Sequence, residues 1–485
     1  MTFNSKAILF LLSIPVGLMG IVQIIFALLS LFVFHDHEET LFLEADLVLF
    51  IAAIFLAFFA RGFDTSRIGF RESLLFATMT WIIMGLLGAI PIILVTHVSF
   101  TDGVFESISA LTTTGATILT GLDSMPKTFL LYRQFLQWLG GLGVVIFVVS
   151  VLPMLNIGGM KLLRAETPGP VKDDKLTPRV VHTAHYLWVV YVSITVLCAV
   201  GYSLAGMNTF DAIAHSLTTV STGGFSTHDA SLGYFHSPNI LLVSDVFMIL
   251  GAISFALHYR VFHLRSLRTY WRDEETRVFL LLIVILSIIV TVALIKNGTY
   301  TSLPTALNEA AFHLISFITS TGYGAGDFTH WPIFIVFLLV VASYIGGCAG
   351  STAGGNKVIR DILTIKILGR ELNRLIHPSG VFTLKYQRHP VEDKVLEAAI
   401  AFMSITACTS LVFTLLLMMT GLDFWSSLTA VAACINVLGP AFGELGNNFQ
   451  PVSDFGTWVL SLAMILGRLE YFTVLAVLLP SFWRY

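Results

Sequence analysis

Apolar and polar positions in this chain separate on the scale of whole helices. Apolar runs cover roughly 7–34, 41–60, 72–96, 129–152, 183–206, 239–262, 277–296, 331–350, 394–420 and 456–481. A helix crosses a bilayer with about 20 apolar residues, so the pattern predicts ten spans and an all-α polytopic membrane protein. Four shorter, half-polar stretches lie between them, at about 101–113, 209–220, 304–319 and 423–436. They are too short to span and predict re-entrant helices, a form tolerated in a membrane only when buried in protein or lining a wet cavity. The first run exceeds the roughly 7–15 residues of a signal core and ends without a small-x-small site, so it reads as a retained span.

Composition agrees with lipid as the solvent. Of 485 residues, 56% are hydrophobic and 12% charged, against about 25% charged in an ordinary soluble domain. A formal net charge of −3 gives no reason to expect a nucleic-acid partner. Cys198, Cys348, Cys408 and Cys434 have neither metal-ligand nor disulfide spacing and read as small apolar residues. Of the 27 lysines and arginines, all but Lys127, Arg133, Lys296 and Arg468 fall on one side of the predicted spans, mostly in loops 61–71, 153–181, 260–277 and 356–394. The positive-inside rule makes that side cytoplasmic, with both termini on it and all four re-entrant stretches on the outer side.

The four stretches resemble one another. FESISALTTTGAT (105–117), IAHSLTTVSTGGFST (213–227), FHLISFITSTGYGAGDF (312–328) and LTAVAACINVLGPAFGEL (428–445) each lead into a glycine, aligned as Gly115, Gly223, Gly322 and Gly439. A second landmark follows each one: LGG (139–141), LGA (250–252), IGG (345–347) and LGR (466–468). Two landmarks recurring in step predict a fourfold span–turn–span repeat: 70–165, 166–272, 273–375 and 376–485, after two peripheral spans in 1–69.

Four such turns about one axis would present rings of backbone carbonyls, which can replace the water shell of a monovalent cation. Glycine permits positive φ and close backbone approach. Thr113, Thr114, Ser221, Thr222, Ser320 and Thr321 would add neutral hydroxyl oxygens. The innermost ring has no carboxylate, which argues against a divalent ion. The carbonyl ends of the half-polar helices would add a favourable field for a cation.

STGYG at 320–324 is similar to the TVGYG signature of potassium channels. With one such glycine per repeat on a single chain, the sequence resembles the Trk/Ktr/HKT superfamily of potassium transporters. Its two extra N-terminal spans and long cytosolic loops resemble the TrkH-type subunit. The resemblance implies a potassium-channel-like, pseudo-fourfold architecture and potassium as the transported ion. The implied filter comprises Thr112, Thr113, Thr114, Gly115; Val220, Ser221, Thr222, Gly223; Thr319, Ser320, Thr321, Gly322; and Asn436, Val437, Leu438, Gly439. Glycine at all four positions implies potassium over sodium. The fourth turn departs most, since Val437 and Leu438 lack hydroxyls and Pro440 lacks an N–H, which leaves a mixed potassium/sodium symporter as the alternative.

The span after the third turn reads YIGGCAGSTAGGNKVIRD (344–361). Each glycine costs about 1 kcal/mol of helix stability relative to alanine, so a continuous helix is not expected. It lacks the G-K-[ST] ending of a phosphate loop, and the chain itself is read as binding no nucleotide. The resemblance implies an intramembrane gating loop of Gly346, Gly347, Gly350, Ser351, Thr352, Gly354, Gly355 and Asn356, with Arg468 beside it. Inside the last span a charge is costly, so Arg468 should face polar groups; Glu470 is a candidate counter-ion. The resemblance further implies a homodimer in a bacterial inner membrane and a cytosolic TrkA-type nucleotide-binding partner. A membrane-embedded transferase would need paired carboxylates or histidines at one face, and the chain has no HExxH-type helix and no repeated Asp/His pair. An organic-substrate carrier would favour inverted repeats, whereas these four share one orientation. Chloride or ammonium would need donors at the turns, and none is found.

Overall fold

The computed structural model describes residues 5–60, 70–150 and 177–484. The basic loops read at 61–71 and 153–181 fall largely outside them. The described chain is almost entirely helical. It runs α1 (Ser5–Leu29, continued by a π-turn Ser30–Phe34), α2 (Glu39–Phe59), α3 (Phe70–Thr96), α4 (Phe100–Leu111), α5 (Lys127–Ser150), α6 (Thr177–Leu204), α7 (Thr209–Val220), α8 (Pro238–Ala252) and α9 (Phe255–Leu264). Next come α10 (Arg268–Arg272), α11 (Glu274–Lys296), α12 (Leu303–Ile318), α13 (Ile333–Ile345), α14 (Val358–Ile376), a two-residue hairpin β1 (Lys385–Tyr386) and β2 (His389–Pro390), α15 (Asp393–Met418), α16 (Phe424–Ile435), α17 (Asp454–Arg468), α18 (Phe472–Leu478) and α19 (Pro480–Trp483).

Six described helices are long and apolar enough to cross a bilayer, or eight if each bent pair counts as one span. Their outer faces are apolar and uncovered, as on α2, where Leu47, Phe50, Ile51 and Phe55 are exposed. Such a surface is stable against lipid, where exposing apolar side chains has no hydration cost. Helix α2 packs on α1, and α1 on α3, which puts the first two spans at the edge. The interior divides into two large apolar clusters. One joins the α6–α15 region and the other joins α1–α5 to α15–α18.

Three of the ten predicted runs are not continuous helices. The 239–262 run bends by 97° between α8 and α9, and the 456–481 run bends by 117° between α17 and α18. The 331–350 run ends at Ile345, where Gly346 takes φ +76°. Only this third break was expected from its glycines. The α8–α9 break is stabilised by that same glycine-rich segment: Cys348 N donates to Ala252 O (2.8 Å), Thr352 N to Gly251 O (3.3 Å), and Phe255 N to Gly350 O (3.1 Å). Backbone groups freed at this break are thereby satisfied by a segment remote in sequence, as a water-poor interior requires.

Candidate functional site

The half-polar stretches form α4, α7, α12 and α16. Three start on a side-chain cap that accepts from the first turn: Ser99 from Asp102 N, Asn208 from Asp211 N, and Asp423 from Trp425 N and Ser426 N. The fourth starts at Ser302 with Pro304 in its first turn, where a missing N–H costs nothing. All four end alike, at Thr112, Ser221, Thr319 and Asn436. The next residue is left-handed in each: Thr113 (φ 56°), Thr222 (52°), Ser320 (53°) and Val437 (56°). Two residues further on is a left-handed glycine: Gly115 (83°), Gly224 (77°), Gly322 (79°) and Gly439 (101°). Between them the amides of Thr114, Gly223, Thr321 and Leu438 return to the helix carbonyls of Ser109, Thr218, Ser316 and Ala433 at 2.8, 2.8, 2.8 and 2.7 Å.

This geometry shifts the second turn by one residue. The sequence alignment put Gly223 beside Gly115, Gly322 and Gly439, but the left-handed glycine is Gly224, and Gly223 matches Thr114, Thr321 and Leu438. Val220 correspondingly ends helix α7 and lies outside the turn. The STG shared with the third turn misled the alignment; the doubled glycine was the available signal.

The turns meet as a closed ring. A Cβ on Gly115 would collide with the Gly223 carbonyl oxygen, one on Gly224 with Thr321 O, one on Gly322 with Leu438 O, and one on Gly439 with Thr114 O. Each collision lies below the 3.0 Å that real Cβ atoms respect. Four glycines thus let each turn approach the carbonyl that precedes the next glycine. The side chains of Thr112, Thr113, Thr114, Ser221, Thr222, Thr319, Ser320, Thr321, Asn436, Val437 and Leu438 are all buried. Thr112 and Thr114 share a hydroxyl hydrogen bond, as do Thr319 and Thr321 (2.8 Å each). Thr113 Oγ1 is buried without a partner. On the second turn, Gln137 of α5 donates to Gly223 O (2.7 Å) and accepts from Phe225 N (3.1 Å). Sequence reading missed Gln137, a polar residue inside an apolar run just before the LGG landmark.

The landmarks also acquire a cause. A Cβ on Gly140, Gly251 or Gly467 would strike the carbonyl of Leu111, Val220 or Ile435, the last residues of α4, α7 and α16. These glycines mark where the following helix crosses the end of the half-helix.

The segment 346–357 lies against three of the turns. Gly354 N donates to Ser320 Oγ (2.5 Å); Thr352 Oγ1 donates to Val220 O (3.0 Å) and lies 3.2 Å from Thr222 Oγ1. A Cβ on Gly354 would collide with Asn436 O. Gly346, Gly350 and Gly355 are left-handed, and Gly347 abuts Ala353 and Ala252. Ser351 donates to Cys348 O (2.6 Å), and Asn356 N to Tyr344 O (2.8 Å). Glu275, at the start of α11, accepts from Ala349 N (2.8 Å) and Ile359 N (3.1 Å) and so pins both limbs.

Arg468, 6% exposed, donates to Thr352 O (2.7 Å) and to Gly140 O (3.4 Å). It therefore joins this segment to α5 and α17. Glu470 is not its counter-ion. Glu470 bonds Arg360 instead (2.7 Å), whose guanidinium stacks 3.9 Å above Phe402. The cysteines form no disulfide, and no histidine–cysteine–carboxylate metal cluster occurs among the described residues.

Residues 44–485 match the TrkH family, described as cation transport protein. The chain is 46% identical over 418 residues to the Trk system potassium uptake protein TrkH of Vibrio parahaemolyticus, covering 85% of this chain and 86% of that one. It is 44% identical over 416 residues to the protein of the same name from Escherichia coli K12, with 85% and 86% coverage. The Escherichia coli protein TrkG is 37% identical over 440 residues, with 89% and 90% coverage. The crystal structure of the potassium transporter TrkH from Vibrio parahaemolyticus superposes with a TM-score of 0.92 at 40% identity, over 99% of this chain and 100% of that one. The spans, the turns and these matches agree: this multi-pass membrane protein belongs to the TrkH family of cation transport proteins.

Proposed function

We propose that this protein takes up potassium across a bacterial inner membrane through a conduit at the centre of the four turns. Residues 70–165, 166–272, 273–375 and 376–485 act as four pore repeats, with 1–69 as a peripheral pair of spans. The observation that carries the reading is the closed ring, in which four left-handed glycines each sit against the carbonyl preceding the next. Small, neutral and crowded with oxygen, this ring suits a large monovalent cation stripped of water. The names of the relatives support potassium as that cation.

Thr112, Thr113, Thr114 and Gly115 with their counterparts on the other turns supply the oxygens. Gly346, Gly347, Gly350, Ser351, Thr352, Gly354, Gly355 and Asn356 obstruct the path beneath them. Arg468 holds that obstruction by its bond to Thr352 O and places a positive charge below the ring. The chain carries out no covalent chemistry. It works as a homodimer with a cytosolic, nucleotide-binding TrkA-type subunit that controls the gate, and its termini are cytoplasmic. A less selective, potassium/sodium-conducting filter is the second reading. The fourth turn favours it, because Val437, Leu438 and Pro440 break the oxygen pattern.

The test is potassium-dependent growth of a transport-deficient bacterium carrying the wild type, Gly322→Ser, or a deletion of 346–355. The serine should admit sodium and weaken growth at low potassium; the deletion should raise ungated flux. If neither variant alters uptake or ion preference, the filter and the gate are both wrongly assigned.

A further inference from the structure

Nine residues before each left-handed glycine stands a position on the half-helix: Glu106, His215, His313 and Ala430. The first three are completely buried, and each reaches the outer limb of its own turn, two or three residues past the glycine. Glu106 accepts from Thr117 Oγ1 (2.9 Å) and from Ile118 N (3.1 Å). His215 Nε2 bonds Ser226 Oγ (2.9 Å), and His313 Nε2 accepts from Ala325 N (3.3 Å). In both histidines Nδ1 meets the carbonyl one helical turn earlier, Asp211 O (2.9 Å) and Glu309 O (2.8 Å). That bond places the proton on Nδ1 and leaves the Nε2 lone pair facing the turn. Ala430 has no acceptor, and the adjacent Thr429 substitutes. Its Oγ1 accepts from Phe442 N (3.1 Å), the residue three past Gly439.

Four side chains of three chemical kinds thus perform one task at corresponding points of the ring. Without them the buried amides of Ile118, Ala325 and Phe442 would lose these acceptors, and each outer limb could rotate away. In the first turn the anchor is itself anchored. Arg133 Nε donates to Glu106 (3.0 Å), Nη2 bonds the same oxygen, and the guanidinium lies 4.1 Å from the centre of the Phe225 ring. Phe225 follows Gly224, so this brace touches two adjacent turns.

We propose that Glu106, His215, His313 and Thr429 are positioning residues that hold the outer limb of each turn and thereby fix the ring dimension that discriminates between alkali cations. The proposal rests on the ring being the permeation filter. It predicts that removing an acceptor lowers selectivity before it lowers flux. The test uses the full chain in proteoliposomes and compares potassium and sodium flux. Thr429→Val is isosteric and lacks the hydroxyl; Thr429→Ser keeps it. His313→Leu lacks an acceptor; His313→Gln offers an amide oxygen.

Valine and leucine should lower the potassium-to-sodium ratio roughly three- to tenfold, the order of one hydrogen bond. Serine and glutamine should recover most of it. Wild-type ratios in the valine and leucine variants, at normal yield of folded protein, would overturn the proposal; so would serine and glutamine variants as unselective as the other two. Gly322→Ser in the same assay separates the two claims. A wild-type ratio there overturns the filter reading beneath the proposal. An altered ratio there, with Thr429→Val unaltered, overturns the brace alone.

Discussion

At the residue scale, Gly223 and Gly224 differ although they are adjacent and identical. Gly224 needs φ +77°, and a side chain would enter the Thr321 carbonyl. Backbone cannot yield there, and a left-handed residue with a Cβ is strained besides. The nearest atoms to a Cβ on Gly223 all belong to the Gln137 side chain, which can rotate at the cost of its bonds to Gly223 O and Phe225 N. Gly224→Ala should therefore abolish uptake, whereas Gly223→Ala should retain a measurable fraction; potassium uptake in a deficient strain checks the order. The sequence showed that glycine matters here, but aligning the repeats selected Gly223. Only the backbone angles identify Gly224. Arg468 is a second case. Its cost in an apolar span predicted polar company, but the company is a carbonyl 116 positions away in sequence and not Glu470. Arg468→Gln should free Thr352 and raise basal rubidium flux in proteoliposomes several-fold, since a hydrogen bond made by a charged group is worth about 1.5–3 kcal/mol.

At the scale of elements, the half-helices were legible almost to the residue, because caps and breakers are local. Asp423 satisfies two amides at the start of α16. Asp423→Ala should cost about 1 kcal/mol, seen as a lower thermal midpoint in detergent with the fold retained. The long spans were less legible. Hydropathy counts apolar residues and is blind to direction, so the 97° and 117° bends left no mark in it. Leu-Gly-Ala and Leu-Gly-Arg carried the signal as contact points, yet the same landmark in α5 sits within an unbroken helix. What breaks α8 is the 346–357 segment arriving beside it and offering replacement hydrogen bonds, an event remote in sequence.

On the scale of the whole molecule, the loops that follow the first and second turns are tied to each other. His228, in the loop after the second turn, bonds Asp123 in the loop after the first (2.5 Å) and Asp211 (3.3 Å), and stacks on Tyr234 with ring centres 3.5 Å apart. Burial works against its charge, but the two carboxylates outweigh that and raise its pKa above the ordinary 6.5. A histidine with a raised folded pKa stabilises fully below its unfolded value and loses that contribution as pH rises through the folded one. The tie should therefore be complete below about pH 6 and weaken above neutrality. Because His228 is partly exposed, its contribution is below about 1 kcal/mol. His228→Gln should flatten the fall in thermal midpoint between pH 6 and 8; an unchanged slope would place the pH dependence elsewhere.

The chain's sequence alone determined that lipid surrounds it, that four half-helices end in glycine turns, and that one post-turn span is broken. These follow from composition and from interactions within a few residues, which a linear reading contains. Tertiary structure decided the register of the second turn, the partners of Arg468 and Glu470, the bends in α8–α9 and α17–α18, and the closure of the ring. Each of those depends on a carbonyl or side chain brought from a distant part of the chain, and in a water-poor interior the backbone favours the path that leaves its own polar groups bonded.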